Sequence, residues 1–251
     1  MSNKKNKRIF TLQWHVTDAC DQRCKHCYIF RGEDKNKLSK FDVDTMKHVV
    51  YDFIQTCTLM DCRPFFTITG GDPLLFDNIW ELLELLHKNN VQFAILGNQF
   101  HINSKVVKKL EELGCTTYQM SLDGLKETHD SIRKVGSFDA TIDSIKYFKE
   151  SSIRLAIMST VSKLNINEIP DLVDIVVDKQ VNSFGFARFC PNENDYSQMI
   201  EPETYRQFLD KMWKKFEKYK DVKTRFPLKD HLWKLYLYEK GIFNPNEIYN
   251  P

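Results

Sequence analysis

"RIFTLQWHVTDACDQRCKHCYIF" (residues 8–30) joins two patterns. Residues 8–16 are rich in β-branched and aromatic side chains and read as a strand. The strand runs straight into a loop with three cysteines, Cys20, Cys24 and Cys27. A strand that delivers a reactive loop is the opening of a βα unit, so the rest of the chain is read for repeats of that unit.

The alternation continues. Apolar residues at three- and four-residue steps predict helices over 43–60, 78–89, 104–114, 138–151 and 166–180. Short apolar runs predict strands over 64–69, 91–98, 116–122, 153–161 and 181–189. Gly114 closes one helix and Pro170 fits the first turn of another. Six strands alternating with helices predict a parallel sheet with right-handed crossovers, either open and doubly wound or a barrel. Two further helices, 202–220 and 227–241, stand outside the repeat; their Trp213, Phe216, Trp233, Tyr236 and Tyr238 read as a packing face.

Composition narrows the class. With 251 residues, 42% of them hydrophobic, the chain can bury one large α/β core. A net charge of +2 gives no field that would draw nucleic acid or a membrane surface. The basic start, 1–7, reads as a flexible tail, with no signal peptide behind it. No apolar run is long enough to span a bilayer, so a soluble cytoplasmic protein is expected. Seven cysteines are too few for a disulfide scaffold of this length. Cys57 and Cys62 read as packed thiols, and Cys115 begins a strand, at the wrong end for chemistry; Cys190, at the end of the sixth strand, reads as a core thiol, with contact to substrate or ligation of an auxiliary cluster as the alternatives.

In βα folds the chemistry gathers where strands end. The unusual residues obey that rule: the cysteine loop, "GGDP" (70–73), "GNQF" (97–100), "SLDG" (121–124), "STVSKLN" (159–165) and "ARFCPN" (187–192) each follow a predicted strand. Structural zinc takes four protein ligands, and a [4Fe–4S] cube is usually held by four cysteines. Three thiolates leave one iron of a cube open to an added ligand. A zinc knuckle with His26 or His15 as fourth ligand is the other reading of the same loop.

C-x3-C-x2-C after the first strand of a βα series resembles the radical S-adenosylmethionine (radical SAM) enzymes, and the resemblance runs over residues 8–190. It implies a partial (β/α)6 TIM-type barrel with an open mouth, plus C-terminal helices. It implies a [4Fe–4S] cluster on Cys20, Cys24 and Cys27, with S-adenosylmethionine chelating the open iron. One electron then cleaves the sulfonium to methionine and a 5′-deoxyadenosyl radical that abstracts hydrogen from a substrate. Gly70, Gly71 and Asp72 resemble the family's Gly-Gly-Glu turn, with Asp for Glu; glycines permit close backbone approach and the carboxylate receives the methionine ammonium. Ser121 and Arg133 correspond to the grip on the methionine carboxylate, which suits a guanidinium fork. Asp123 shapes the turn or lies near the ribose. Thr160 and Val161 stand where the family contacts adenosine. His26 lines the adenine, Tyr28 is wall or core, and Asn98 is a weaker ligand-side candidate. For Ser121 and Asp123 a plain turn role, and for Arg133 a surface ion pair, remain alternatives.

Within that family the pieces look most like the maturases of ribosomally made peptides and the sulfatase-maturing enzymes. Those continue into a SPASM or twitch domain holding auxiliary clusters. No cysteine follows Cys190 here, and "GIFNPNEIYNP" (241–251) reads as a connector. Residues 8–200 are thus expected to form the barrel, with 201–251 a helical extension toward a missing auxiliary-cluster domain; a natural short form is the alternative. A leader-binding domain before the first strand is not expected. The expected substrate is a peptide or protein, such as a ribosomal precursor peptide. It would receive a thioether or carbon–carbon crosslink or be oxidised, with flavodoxin or ferredoxin supplying electrons. The rivals are a small-molecule enzyme of cofactor or tetrapyrrole assembly, and a non-catalytic zinc or electron-transfer protein.

Overall fold

The computed structural model describes residues 7–30, 41–191 and 196–242. The first six residues of the basic tail, Asn192 of "ARFCPN" and the last nine residues of the chain lie outside the described residues. The six strands are β1 (Ile9–His15), β2 (Arg63–Thr69), β3 (Gln92–Leu96), β4 (Cys115–Ser121), β5 (Arg154–Val161) and β6 (Ser183–Arg188). The helices are α1 (Val43–Leu59), α2 (Ile79–Lys88), α3 (Ser104–Glu112), α4 (Lys126–Ile132), α5 (Ser137–Ser144), α6 (Ile169–Asp178), α7 (Pro202–Lys218) and α8 (Leu232–Glu239). All six strands are parallel and lie in one sheet in sequence order. This is the α/β class and the (β/α)6 succession of a partial TIM-type barrel, with two helices after it.

The chain divides into two compact units. The first spans Met1–Met120 and Asp139–Leu155. Asp42 starts α1 by accepting a hydrogen bond from Thr45 N (2.7 Å). Met46, Val50, Phe53 and Cys57 recur at helical spacing and form its buried stripe. Phe53 meets Phe66 edge-on at 5.0 Å and stacks on Phe10 at 5.7 Å, so α1 covers one face of β1–β2. Phe66, Ile68, Phe93, Ile95 and Tyr118 continue that apolar face, all fully buried. The other face differs: Thr11, Gln13, Thr67, Gln92 and Thr117 project from it, exposed or half-buried. Parallel sheets are usually apolar on both faces.

The second unit spans Ser121–Phe138 and Ala156–Pro251. Ile169, Leu172, Val173 and Val176 of α6 are buried, as are Phe184 and Phe186 of β6. Phe186 contacts Phe208 of α7 (5.1 Å) and Trp233 of α8 (5.7 Å). Trp233 is fully buried and Phe216 and Tyr236 nearly so, as the packing-face reading required; Tyr238 departs from it, 56% exposed. Asp174 of α6 receives Lys215, Lys218 and Tyr219, which ties α7 to α6.

Three expectations change. Helix α4 was not expected: "KETHDSI" is short and nearly without apolar residues. Its first turn is held from a distance, Glu168 accepting from Leu125 N (2.7 Å) and Thr128 Oγ1 (2.6 Å). The helix read over 138–151 winds down early, α5 tightening to a 3₁₀ turn at Ile145–Phe148. Cys190 is exposed rather than a core thiol, because it stands beyond the end of β6, outside the packed layer; Cys62 is half-buried, while Cys57 and Cys115 are buried.

Trp233 of α8 sets its ring against Phe186 of β6 and against Trp213 and Phe216 of α7. Trp233→Ala is expected to lower unfolding free energy by about 3–5 kcal/mol, measured by urea denaturation. A loss under about 1 kcal/mol would place the core elsewhere.

Candidate functional site

In the first unit the site grows out of strand pairing. β1 and β2 stay in register from Ile9–Arg63 to His15–Thr69, and Val16 N extends the ladder to Thr69 O (2.9 Å). Beyond the strands the two loops remain bonded: Gly71 N donates to Thr17 O (2.6 Å) and Asp72 N to Ala19 O (2.7 Å). Side chains would prevent this. A Cβ on Gly70 would lie 2.3 Å from Thr17 O, where φ is also +151°, and a Cβ on Gly71 would lie 2.2 Å from Ala19 O. The glycine pair therefore lets the turn lie flat against the start of the cysteine loop.

Cys20 follows Ala19 directly. Gln22 N donates to Cys20 Sγ (3.4 Å), and Cys27 N donates to Cys24 O (3.0 Å), turning the loop back. Arg23 donates to the Cys20 and Gln22 carbonyl oxygens and lies 4.2 Å over the Phe30 ring. None of the three cysteines is in a disulfide, and all three are half-buried. Burial, with Cys24 as a lesser cause, pushes the Cys20 thiol up to about 11, so a bound metal must displace a proton there. The three sulfurs do not all lie within 4.8 Å of one another. Thiolates sharing one zinc at Zn–S distances of about 2.3 Å would sit roughly 3.8 Å apart. His15, one candidate fourth zinc ligand, instead meets Asp18 Oδ1 through Nε2 (2.9 Å). His26 is half-buried, and Tyr28 is 63% exposed, which removes its core reading.

Asp72 is fully buried. Its Oδ1 accepts from Leu74 N (3.3 Å), while its Oδ2 has no hydrogen-bond partner. Burial raises its carboxyl to about 6. Gly97 makes room beside it, since a Cβ there would lie 2.9 Å from Asp72 Oδ1 and 2.5 Å from the Tyr118 hydroxyl. Asn98 Nδ2 donates to Asp21 Oδ1 (2.6 Å), and Tyr118 OH donates to Asn98 O (2.8 Å). His101 Nε2 lies 3.2 Å from Asp21 Oδ2. Asp21, Asp72 and His101 thus bring ligand atoms within 4.8 Å of one another. Asp21 and His101 were missed in the sequence, although one sits inside the cysteine motif and the other just past "GNQF".

In the second unit the hub is Asp123, fully buried. Its Oδ2 accepts from Arg133 Nε (2.5 Å) and its Oδ1 from Thr160 N (2.7 Å). Asn165 Nδ2 donates to Asp123 O (2.9 Å) and Thr160 O (2.8 Å), and Ser162 N donates to Asn165 Oδ1 (2.8 Å). Asp123 N donates to His129 Nδ1 (3.0 Å), so the imidazole carries its proton on Nε2, 2.6 Å from Ser137 Oγ. Gly124, at φ +135°, leaves space for Glu168 Oε2. The structure therefore brings Asp123, Arg133 and Thr160 together. Val161 is fully buried beside them in sequence, and Ser121 ends β4 half-buried. Asn165 and Glu168 escaped sequence reading because they bond groups some forty residues away, and His129 because its partners, Asp123 N and Ser137 Oγ, meet it only through the turn of the loop.

The chain is similar to known proteins. A family model, the Radical SAM superfamily, matches residues 14–176. Fe-coproporphyrin III synthase of Methanosarcina barkeri (strain Fusaro / DSM 804) is 26% identical over 169 residues, 67% of this chain and 41% of that protein. Mycofactocin maturase MftC of Mycobacterium ulcerans (strain Agy99) is 28% identical over 184 residues, 72% of this chain and 47% of that one. Streptococcus suis SuiB, solved bound to precursor peptide SuiA, shares the fold with TM-score 0.73 and 18% identity, covering 93% of this chain and 52% of that chain. The chain spans about half the length of the proteins it matches.

Gly71→Ala is expected to push the turn off the cysteine loop, so that anaerobically reconstituted protein holds clearly less iron than wild type in a colorimetric assay. Asp123→Ala would remove the carboxylate that Arg133, 13% exposed, and Thr160 N both use. It should cost about 3–5 kcal/mol in chemical denaturation.

Proposed function

The chain belongs to the radical SAM superfamily, and from that premise we propose that it holds a [4Fe–4S] cluster on Cys20, Cys24 and Cys27, binds S-adenosylmethionine beside it, and modifies a peptide or protein side chain by crosslinking or oxidation. The observation that carries the reading is the glycine turn bonded to the cysteine loop, with a buried, unpartnered carboxylate oxygen on Asp72. When bound, cluster and S-adenosylmethionine supply reductive cleavage of the sulfonium and a carbon radical able to abstract hydrogen.

The chain's own residues have separable roles. Cys20, Cys24 and Cys27 give up their protons to ligate, leaving one iron for the cofactor. Asp72 accepts the methionine ammonium at Oδ2, and the Gly70–Gly71 backbone lets the ligand approach. Arg133, oriented by Asp123 through Nε, takes the methionine carboxylate with Ser121. By the family resemblance Thr160 and Val161 would contact the adenosine; in the structure Thr160 N donates to Asp123 Oδ1. His26 lines the adenine and Tyr28 the wall. A flavodoxin or ferredoxin is the proposed electron donor.

The peptide reading is supported by MftC, a maturase by name, and by SuiB, solved with its precursor peptide. A second reading, a small-molecule substrate, is favoured by the sequence likeness to Fe-coproporphyrin III synthase.

Protein reconstituted anaerobically with iron and sulfide, reduced with dithionite and given S-adenosylmethionine should form 5′-deoxyadenosine. The Cys20→Ala/Cys24→Ala/Cys27→Ala variant should form none. Zinc without a four-iron cluster in the wild type would end the reading. With its carboxyl raised to about 6, Asp72 is charged above that pH and neutral below it. Only the charged form attracts an ammonium, so S-adenosylmethionine affinity should fall about tenfold by ~pH 5. Asp72→Asn should flatten that dependence in equilibrium dialysis.

A further inference from the structure

Three strand ends of the first unit bring polar side chains to one place. Asp21 follows β1 in the cysteine loop, Asp72 follows β2 in the glycine turn, and His101 follows β3. A ligand atom from each lies within 4.8 Å of the other two. Asn98 Nδ2 donates to Asp21 Oδ1 (2.6 Å). Asn98 is itself fixed, its Oδ1 accepting from Phe100 N (2.9 Å) and its carbonyl from the Tyr118 hydroxyl (2.8 Å). Two buried atoms of the cluster have no hydrogen-bond partner, Asp72 Oδ2 and His101 Nε2. His101 Nε2 lies 3.2 Å from Asp21 Oδ2, but not in hydrogen-bonding geometry. Asp72 is fully buried. Two carboxylates this close disfavour each other's charge until a cation comes between them.

We propose that Asp21 is a second carboxylate for the S-adenosylmethionine ammonium, sharing it with Asp72; the proposal rests on the radical SAM reading and adds a binding residue to that site. Residue 72 is Asp where the family turn has Glu, a side chain one methylene shorter. An acid on the adjoining loop supplies a second acceptor beside that shortened arm. An ammonium carries three N–H donors in a tetrahedral array. Acceptors about 2.8 Å from its nitrogen stand roughly 4.6 Å apart. The spacing of Asp21, Asp72 and His101 lets one ammonium reach all three. Asp21 adjoins Cys20 in the chain, so a cation shared with Asp72 also ties the cysteine loop to the glycine turn. A neutral group in the same place would leave like charges side by side.

The test is equilibrium dialysis of the reconstituted holoprotein against two probes, S-adenosylmethionine and its deaminated analogue, which keeps the sulfonium and carboxylate but lacks the ammonium. Asp21→Asn should weaken S-adenosylmethionine about tenfold, the scale of a lost charge-assisted hydrogen bond, and the analogue less than about twofold. Asp21→Glu, which keeps the charge, should recover most of the loss. Iron content is measured on each preparation. If Asp21→Asn fails to load iron, Asn98→Ala replaces it, releasing Asp21 without changing the cysteine loop, and the same ammonium-selective loss is expected. Equal losses for both probes would mean that residue 21 acts through the loop and would overturn the proposal. Unchanged affinity for both would do the same. So would manganese binding that Asp21→Asn abolishes while S-adenosylmethionine affinity stays, since the cluster would then belong to a metal. A wild type that holds no four-iron cluster and binds neither probe would sink the radical SAM reading itself. A wild type that binds S-adenosylmethionine and forms 5′-deoxyadenosine, with Asp21→Asn indifferent, would sink only the role of Asp21.

Discussion

Two short hydrogen bonds, Gly71 N to Thr17 O and Asp72 N to Ala19 O, decide what the first unit can do. They continue the β1–β2 ladder past the ends of both strands and place the cysteine loop against the Asp72 turn. The constraint is steric before it is energetic. Any side chain at residue 70 or 71 would occupy space held by a carbonyl oxygen of the other loop. Backbone approach of this kind leaves main-chain groups and one carboxylate as the lining of the site.

That carboxylate is costly as it stands. A fully buried Asp with an unpaired oxygen carries a desolvation penalty, seen in its raised pKa. Such groups persist where a ligand completes them. The second unit solves the opposite problem. Asp123 is equally buried, yet both oxygens are engaged, by Arg133 and by Thr160 N. Asp72 keeps one buried oxygen without a hydrogen bond, whereas Asp123 spends its charge on holding a loop and orienting a guanidinium.

Much of this was legible in the chain. The strand and helix periods gave the six βα units, and helix ends such as Gly114 fell where expected. The cysteine spacing, the glycine pair and the "SLDG" turn were visible because each is local, a few residues whose chemistry depends on close neighbours. Helix α4 was hidden because its first turn is capped by Glu168, some forty residues away in sequence. Asn165 was hidden for the same reason, its partner Asp123 O lying 42 residues away, and His129 because Asp123 N and Ser137 Oγ reach it only once the loop is folded. Cys190 was misjudged because apolar sequence neighbours do not say whether a residue lies inside a layer or just beyond its edge.

The sequence by itself determined the α/β class, the order of elements and the ligand types at the strand ends, because these follow from periodicity and from residue chemistry at short spacing. Only the tertiary structure decided that Asp72 is buried with an oxygen to spare, that Asp123 and Arg133 pair, and that Thr11, Gln13, Thr67 and Thr117 stay exposed or half-buried on one face of β1–β4. These are facts of burial and of register between distant strands. An alternating strand reads alike whether its polar side meets solvent, a helix or a substrate, and only the neighbours brought by the fold distinguish the three.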